Sequence, residues 1–213
     1  MNPTTTVVFD LGKVLLDFDY RIAARRIAER SRLDEAGVQA VLERSPWLIR
    51  YETGLISRRE FYEAIRRETG FEGSLEEFSR FFADIFWPIE PMVAVLRALR
   101  RRGLATWLFS NTNDLAMEHI RRNFPFVHEF DGCILSYEVR SMKPAPGMYE
   151  SLERLSGRRG SEILYLDDRP ENVEAGRARG WQGWVHTSPE DTRRRLRELG
   201  LLDAEDAANA PAT

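Results

Sequence analysis

The chain has 213 residues, 43% apolar and 31% charged, with a formal net charge of −3; this suits a folded chain of about one domain with room for an insertion, not a disordered one, and offers no general attraction for nucleic acid. Its longest purely apolar run, Met92 to Leu96, is far short of the roughly 20 residues of a membrane helix, and the opening Met-Asn-Pro-Thr-Thr-Thr has neither the basic region nor the apolar core of an export signal. One cysteine, Cys133, excludes an internal disulfide, so the expectation is a cytoplasmic protein with no membrane and no nucleic-acid partner.

Thr6-Val7-Val8-Phe9 is a short strand-type run that stops at Asp10. From residue 17 to residue 87 the pattern is helical, with no good strand. Asp19 can cap a helix carrying Ile22 and Ile27, and Ser57-Arg58-Arg59-Glu60 and Ser74-Leu75-Glu76-Glu77 both have capping-box spacing. A helix is predicted over 91–102, with Met92, Val95, Leu96 and Leu99 on one face and Gly103 as its stop. Strand-type runs return at Ala105 to Phe109 before Ser110, at Gly132 to Leu135, at Ile163 to Leu166 before Asp167, and at Trp184 to His186. Helices are predicted between and after them, over 146–156, 170–179 and 189–199. The last has Ser188 as its cap, Pro189 in its first turn and Gly200 after its end. Continuous apolar strands separated by helices are the pattern of a buried parallel sheet. The expected fold is therefore α/β: a Rossmann-like parallel core from 1–16 and 88–202, an inserted all-helical cap over 17–87, and a flexible tail over 203–213.

In parallel α/β sheets, ligands bind beyond the C-terminal ends of the strands. Beyond the strand-type runs stand Asp10, then Ser110-Asn111-Thr112-Asn113, then Lys143-Pro144, then Asp167-Asp168. These are the parts of a Mg²⁺-dependent phosphoryl site: carboxylates hold a hard cation, while lysine and backbone amides neutralise phosphate oxygens. Of 31 basic residues only Lys13 and Lys143 are lysine, and a planar guanidinium does not substitute for a compact ammonium. Each residue also has a plainer reading. Asp10 can cap a turn, Ser110-Asn111 a helix, and Lys143 can be a solvated loop residue. Asp167-Asp168 can cap the helix opening at Pro170, but an acidic pair straight after four apolar residues is costly without a cation. His119, His128 and His186 read as structural, the arginine clusters at 100–102 and 193–195 as solvated helix ends, and Trp47 and Tyr51 as either pocket or core.

Phe9-Asp10-Leu11-Gly12-Lys13-Val14, Ser110-Asn111, Lys143-Pro144 and Leu166-Asp167-Asp168, in that order, resemble the four motifs of the haloacid dehalogenase-like hydrolases. The helical insertion resembles that family's cap. Glu52-Thr53-Gly54-Leu55-Ile56-Ser57 is similar to a cap segment of the branch containing sugar phosphatases and the N-terminal phosphatase domain of soluble epoxide hydrolases. The resemblance runs to about residue 200 and implies a Mg²⁺-dependent phosphatase for a small phosphorylated metabolite. On it, Asp10 is the nucleophile that forms an aspartyl-phosphate, and Ser110 and the amide of Asn111 grip the phosphate with help from the helix beginning near Asn113. Lys143 holds Asp10 and the phosphate together. Asp10, the carbonyl of Gly12, Asp167 and Asp168 form the metal site, with Asp168 as direct ligand and Asn172 in support. One position departs from the pattern: Gly12 stands where family phosphatases carry a general acid and base, with Asp17 or Asp19 as candidate substitutes. Such a group is typically worth roughly 10² to 10⁴-fold. Three other readings compete. A metal-independent haloacid dehalogenase tolerates Gly12, but the acidic pair would repel its carboxylate substrate. A catalytically weak phospho-ligand binder would have lost turnover with residue 12. A phospho-acceptor signalling domain carries its acidic pair after the first strand, the reverse of the order here. Nothing in the sequence points to a particular oligomeric state.

Overall fold

A computed structural model describes residues 3–203; beyond Asp203, the segment expected to be a flexible tail lies outside the described residues. The chain opens with β1 (Thr6–Phe9) and β2 (Leu16–Phe18). Five helices come next: α1 (Tyr20–Ala28), α2 (Glu35–Arg44), α3 (Pro46–Glu52), α4 (Arg58–Thr69) and α5 (Leu75–Ala83). Then come β3 (Phe86–Pro88), α6 (Glu90–Arg101), β4 (Ala105–Ser110), α7 (Asp114–Asn123), β5 (Gly132–Leu135) and α8 (Ser136–Val139). The chain continues through α9 (Pro146–Ser156), β6 (Ile163–Asp167), α10 (Pro170–Arg177), β7 (Gln182–Val185) and α11 (Pro189–Glu198).

Five strands form one sheet in the order β5-β4-β1-β6-β7, every pair parallel. Side chains alternate between its faces. Val7, Phe9, Leu108, Leu164 and Leu166 pack under Met92 and Leu96 of α6, Met117 of α7 and Leu196 of α11. Val8, Phe109, Ile134, Ile163 and Tyr165 pack under Met148, Tyr149 and Leu152 of α9, with Trp181. Covering both faces is why the strands read as unbroken apolar runs. Phe9 is level with both Leu108 and Leu166, so Asp10, Ser110 and Asp167 leave the sheet together at one edge.

Three details differ from the sequence expectations. The last strand is Gln182–Val185 rather than 184–186. Pairing of Leu164 with Gln182 and of Asp167 with Val185 sets its register, and Gln182-Gly183 carries no strand signal of its own. The segment 17–87 is not free of strands: β2 and β3 pair antiparallel, Leu16 opposite Pro88 and Phe18 opposite Phe86. The entry and exit of the helical block thus form a two-stranded neck. Finally, the Ser57–Glu60 capping box is complete, but the second is half formed. Ser74 accepts from the Glu77 amide at 3.2 Å, while the Glu77 carboxylate pairs with Arg30, a long-range partner that outcompetes the local one.

The helical block has its own aromatic core, with Phe61, Phe71, Phe78 and Phe82 all buried and Tyr51 stacked on Phe61 at 4.6 Å. It reaches over the sheet edge that carries Asp10, and Leu115 of α7 is buried within the block's cluster. Among the described residues no helix is long and apolar enough to cross a membrane.

Candidate active site

Asp10 is tied to the sheet edge by its amide, which donates to the Leu166 carbonyl at 2.9 Å. Its Oδ1 accepts from the Leu11 amide at 2.7 Å and lies 2.9 Å from Lys143 Nζ. The same ammonium donates to Asp167 Oδ2 at 2.7 Å and to the Phe109 carbonyl at 2.8 Å, which satisfies its three N–H groups. Burial opposes charge on Lys143, but Asp10 and Asp167 outweigh it and raise its pKa. Asp167 is fully buried; burial favours its neutral form, yet Lys143 holds its pKa below the usual value. Its Oδ1 accepts from the Arg169 amide at 2.8 Å and from Asn172 Nδ2 at 3.0 Å, and the Tyr165 hydroxyl donates to Oδ2. Asp10 stands differently. Burial, only partly offset by Lys143 and reinforced by Asp167, pushes its pKa up to about 7. Asp168, half-buried, is also raised, by burial and then by Asp167.

One lysine therefore faces three carboxylates. Asp10, Asp167 and Asp168 each offer an oxygen within 4.8 Å of the others, an all-oxygen donor set suited to a hard divalent cation. A cation would offset the burial and the added repulsion from Asp167 that raise Asp10 and Asp168, so the residues fit a Mg²⁺ site.

The second motif is arranged around the lysine. Ser110 is buried at the end of β4. The Asn111 side chain accepts from the Lys143 amide at 2.8 Å and donates to the Lys143 carbonyl at 3.1 Å, so its side chain positions the lysine loop and only its backbone amide is left to offer a phosphate. Asn113 caps α7 by accepting from the Ala116 amide at 2.9 Å, and the Leu115 amide meets the Tyr51 hydroxyl at 3.4 Å. Two amides of the first turn of α7, those of Leu115 and Ala116, are thus engaged within the protein. Asn172, at the start of α10, steadies Asp167.

Neither substitute for the missing acid is free. Asp17 pairs with Lys13, whose hydrogen bond holds its pKa down. Asp19 caps α1 and binds Arg21, with the same consequence. A side chain at Gly12 would require the Phe18 ring to shift, since a Cβ would lie 2.9 Å from its Cε1. The histidines stand outside the carboxylate cluster, His186 paired with Thr192 and His128 with the Arg121 carbonyl. Tyr51 belongs to the core and donates to Asp114, while Trp47 donates to Glu68 in a surface groove.

Tyr165, Ser136 and Phe18 join the site from outside the four sequence motifs. Tyr165 has a readable signal, since two residues before Asp167 on one strand is the same face. Ser136, whose hydroxyl accepts from the Thr112 amide at 2.9 Å, comes from a different strand end and has none.

A family model described as haloacid dehalogenase-like hydrolase matches residues 4–180. The chain belongs to the haloacid dehalogenase-like hydrolases. Among relatives of this hydrolase, the D-ribitol-5-phosphate phosphatase of Bacteroides thetaiotaomicron is 25% identical over 89% of this chain and 95% of its own length. A sesquiterpene phosphatase of Aspergillus oryzae is 26% identical over 90% of this chain and 94% of its own. The fold matches that of a haloacid dehalogenase-like enzyme from B. thetaiotaomicron solved with magnesium and inorganic phosphate, with a TM-score of 0.77, 23% identity, and coverage of 91% of this chain and 100% of that one. Fold and family are those the sequence motifs implied.

Proposed function

We propose that this hydrolase is a Mg²⁺-dependent phosphatase acting on a small phosphorylated metabolite through an aspartyl-phosphate on Asp10. The observation that carries the proposal is the imbalance of three converging carboxylates against one buried lysine, supported by the phosphatase relatives. In this reading residues 1–16 and 88–202 are the catalytic core and 17–87 the cap. Asp10, Asp168 and the Gly12 carbonyl would hold the ion, with Asp167 beside it, its oxygens already engaged by Lys143, Tyr165, Arg169 and Asn172. The bound ion supplies charge neutralisation to the phosphate, so that an anionic carboxylate can approach phosphorus.

The chain's own residues divide the remaining work. Lys143 favours the ionised form of Asp10 against its burial and fixes its Oδ1; no hydrogen bond among the described residues falls on Oδ2, which is the oxygen free to attack. Ser110 and the Asn111 amide receive the phosphate oxygens. Phosphate release from a panel of phosphorylated metabolites, with Mg²⁺ and with chelator, tests the proposal. Release that requires Mg²⁺ is expected. Full activity in chelator, or halide release from haloacids, would contradict it, and phosphate binding without turnover would favour the weak binder.

A further inference from the structure

Leu135 of β5 is level with Ser110 of β4, so Ser136 leaves the sheet beside the loop 110–113, which receives the phosphate in the proposed function. Ser136 is fully buried, and its hydroxyl meets both that loop and the helical block. Its Oγ accepts from the Thr112 amide at 2.9 Å. It also has two carbonyls within donating reach, that of Glu52 at 2.5 Å and that of Thr112 at 3.0 Å. A hydroxyl has one proton to give, and among the described residues no other group donates to either carbonyl. The Glu52 carbonyl is the last of α3 and has no donor within the helix; Thr112 is buried, so its carbonyl has a like need. The loop is thus held from both sides. Before it, β4 fixes Ser110, and the Asn111 side chain is bound to the amide and carbonyl of Lys143. After it, Ser136 holds the N–H of the peptide joining Asn111 to Thr112 and faces the next carbonyl. The helical block is anchored at the same place, with Gly54 against the Tyr137 carbonyl and the Tyr51 hydroxyl on Asp114.

We propose that Ser136 is a positioning residue for phosphate binding, and that its single proton couples the phosphate-binding loop to the seating of the helical block. This rests on the phosphatase reading. With α3 seated, the proton goes to the nearer carbonyl, that of Glu52, and a lone pair of Oγ stays on the Thr112 amide. Movement of α3 away from the core frees the proton for the Thr112 carbonyl. The hydroxyl then turns about its Cβ–Oγ bond, its lone pairs turn away from the Thr112 amide, and the Asn111 amide loses its fixed direction. The coupling is reciprocal, as any linkage between two sites must be: phosphate held by the loop favours the proton on Glu52 and so the seated block.

Amide NMR of the full chain with Mg²⁺, titrated with inorganic phosphate, tests the proposal. In the wild type the Asn111 and Thr112 amides are expected to shift. The Thr53 amide, which shares its peptide group with the Glu52 carbonyl, should shift with them at the same midpoint. In Ser136→Ala the Thr53 response should vanish, and phosphate should bind about tenfold more weakly, roughly the worth of one hydrogen bond. Mg²⁺ binding measured without phosphate should stay unchanged in that variant, because Ser136 makes no hydrogen bond to Asp10, Asp167 or Asp168. Parallel losses of Mg²⁺ and phosphate affinity would show a general structural role and overturn the assignment. So would a Thr53 amide that keeps its response in Ser136→Ala, or one that stays still in the wild type, a result that needs no variant. Absence of any shift at Asn111 and Thr112 in the wild type would instead remove the phosphatase reading itself.

Discussion

Lys143 is one of only two lysines in the chain, and its surroundings explain why an arginine does not serve. The ammonium is enclosed by Asp10, Asp167 and the Phe109 carbonyl, with the rings of Phe109 and Tyr165 at 5.3 and 5.8 Å. A guanidinium is too large for that space and too planar to reach three acceptors. Lys143→Arg is expected to cost about 1–3 kcal/mol through overpacking and about 10²-fold in kcat through displacement of Asp10, read by thermal unfolding and steady-state rates. A variant that keeps both would show that charge alone is needed. The other lysine, Lys13, contacts Asp17, the Phe18 carbonyl at 3.0 Å and the Phe18 ring at 4.6 Å. It holds the ring that closes over Gly12, so Gly12→Asp alone should lower activity, and Gly12→Asp with Phe18→Leu should recover part of the loss. If Gly12→Asp alone raises the rate on alkyl phosphates, Phe18 yields and the ring is no barrier.

At the scale of elements, the contact between helical block and core depends on the turn after α3. Gly54 has φ +68 and faces the Tyr137 carbonyl, a conformation that disfavours a side chain. Gly54→Ala should destabilise by about 2–3 kcal/mol, lowering Tm by about 5–10 °C; an unchanged Tm would mean the block and core part easily here. The central strands and the helices are legible in the sequence because their patterns are local: apolar runs, caps and stops. The neck is not. Leu16-Asp17-Phe18 and Phe86-Trp87-Pro88 are shorter than the four to eight residues that make a readable strand, and each becomes a strand only because the other is brought to it. The same holds for Glu77, whose local cap loses to Arg30.

For the molecule as a whole, the unbalanced carboxylates tie stability to pH and, on the proposed function, to Mg²⁺. The pKa of Asp10 is raised to about 7, so its contribution to stability is present in full below its unfolded value and is lost as pH rises through about 7. Asp168 acts in the same direction. Mg²⁺ competes with those protons, so its stabilisation should be small near pH 5 and grow toward pH 8. There, metal at about 100 times its Kd adds about 2.7 kcal/mol, or about 5–10 °C in Tm. Equal shifts at both pH values would remove the carboxylates from the metal site. Sequence makes the members of this site visible because each ends a strand or comes soon after one, and the sheet does the rest by bringing those ends level. It hides the charge balance and the fate of Asp17 and Asp19, which depend on Lys13, Arg21 and a folded neck.

The central claim is that Asp10 carries the phosphoryl group. Rapid acid quench of a labelled phosphate ester during turnover, with subsequent mapping of the label, tests it most directly. A transient phosphoenzyme labelled at Asp10, formed and consumed at rates consistent with kcat and absent from Asp10→Asn, is the expected result. Steady turnover by a folded Asp10→Asn protein, or full wild-type turnover with no covalent species at any time point, would contradict it.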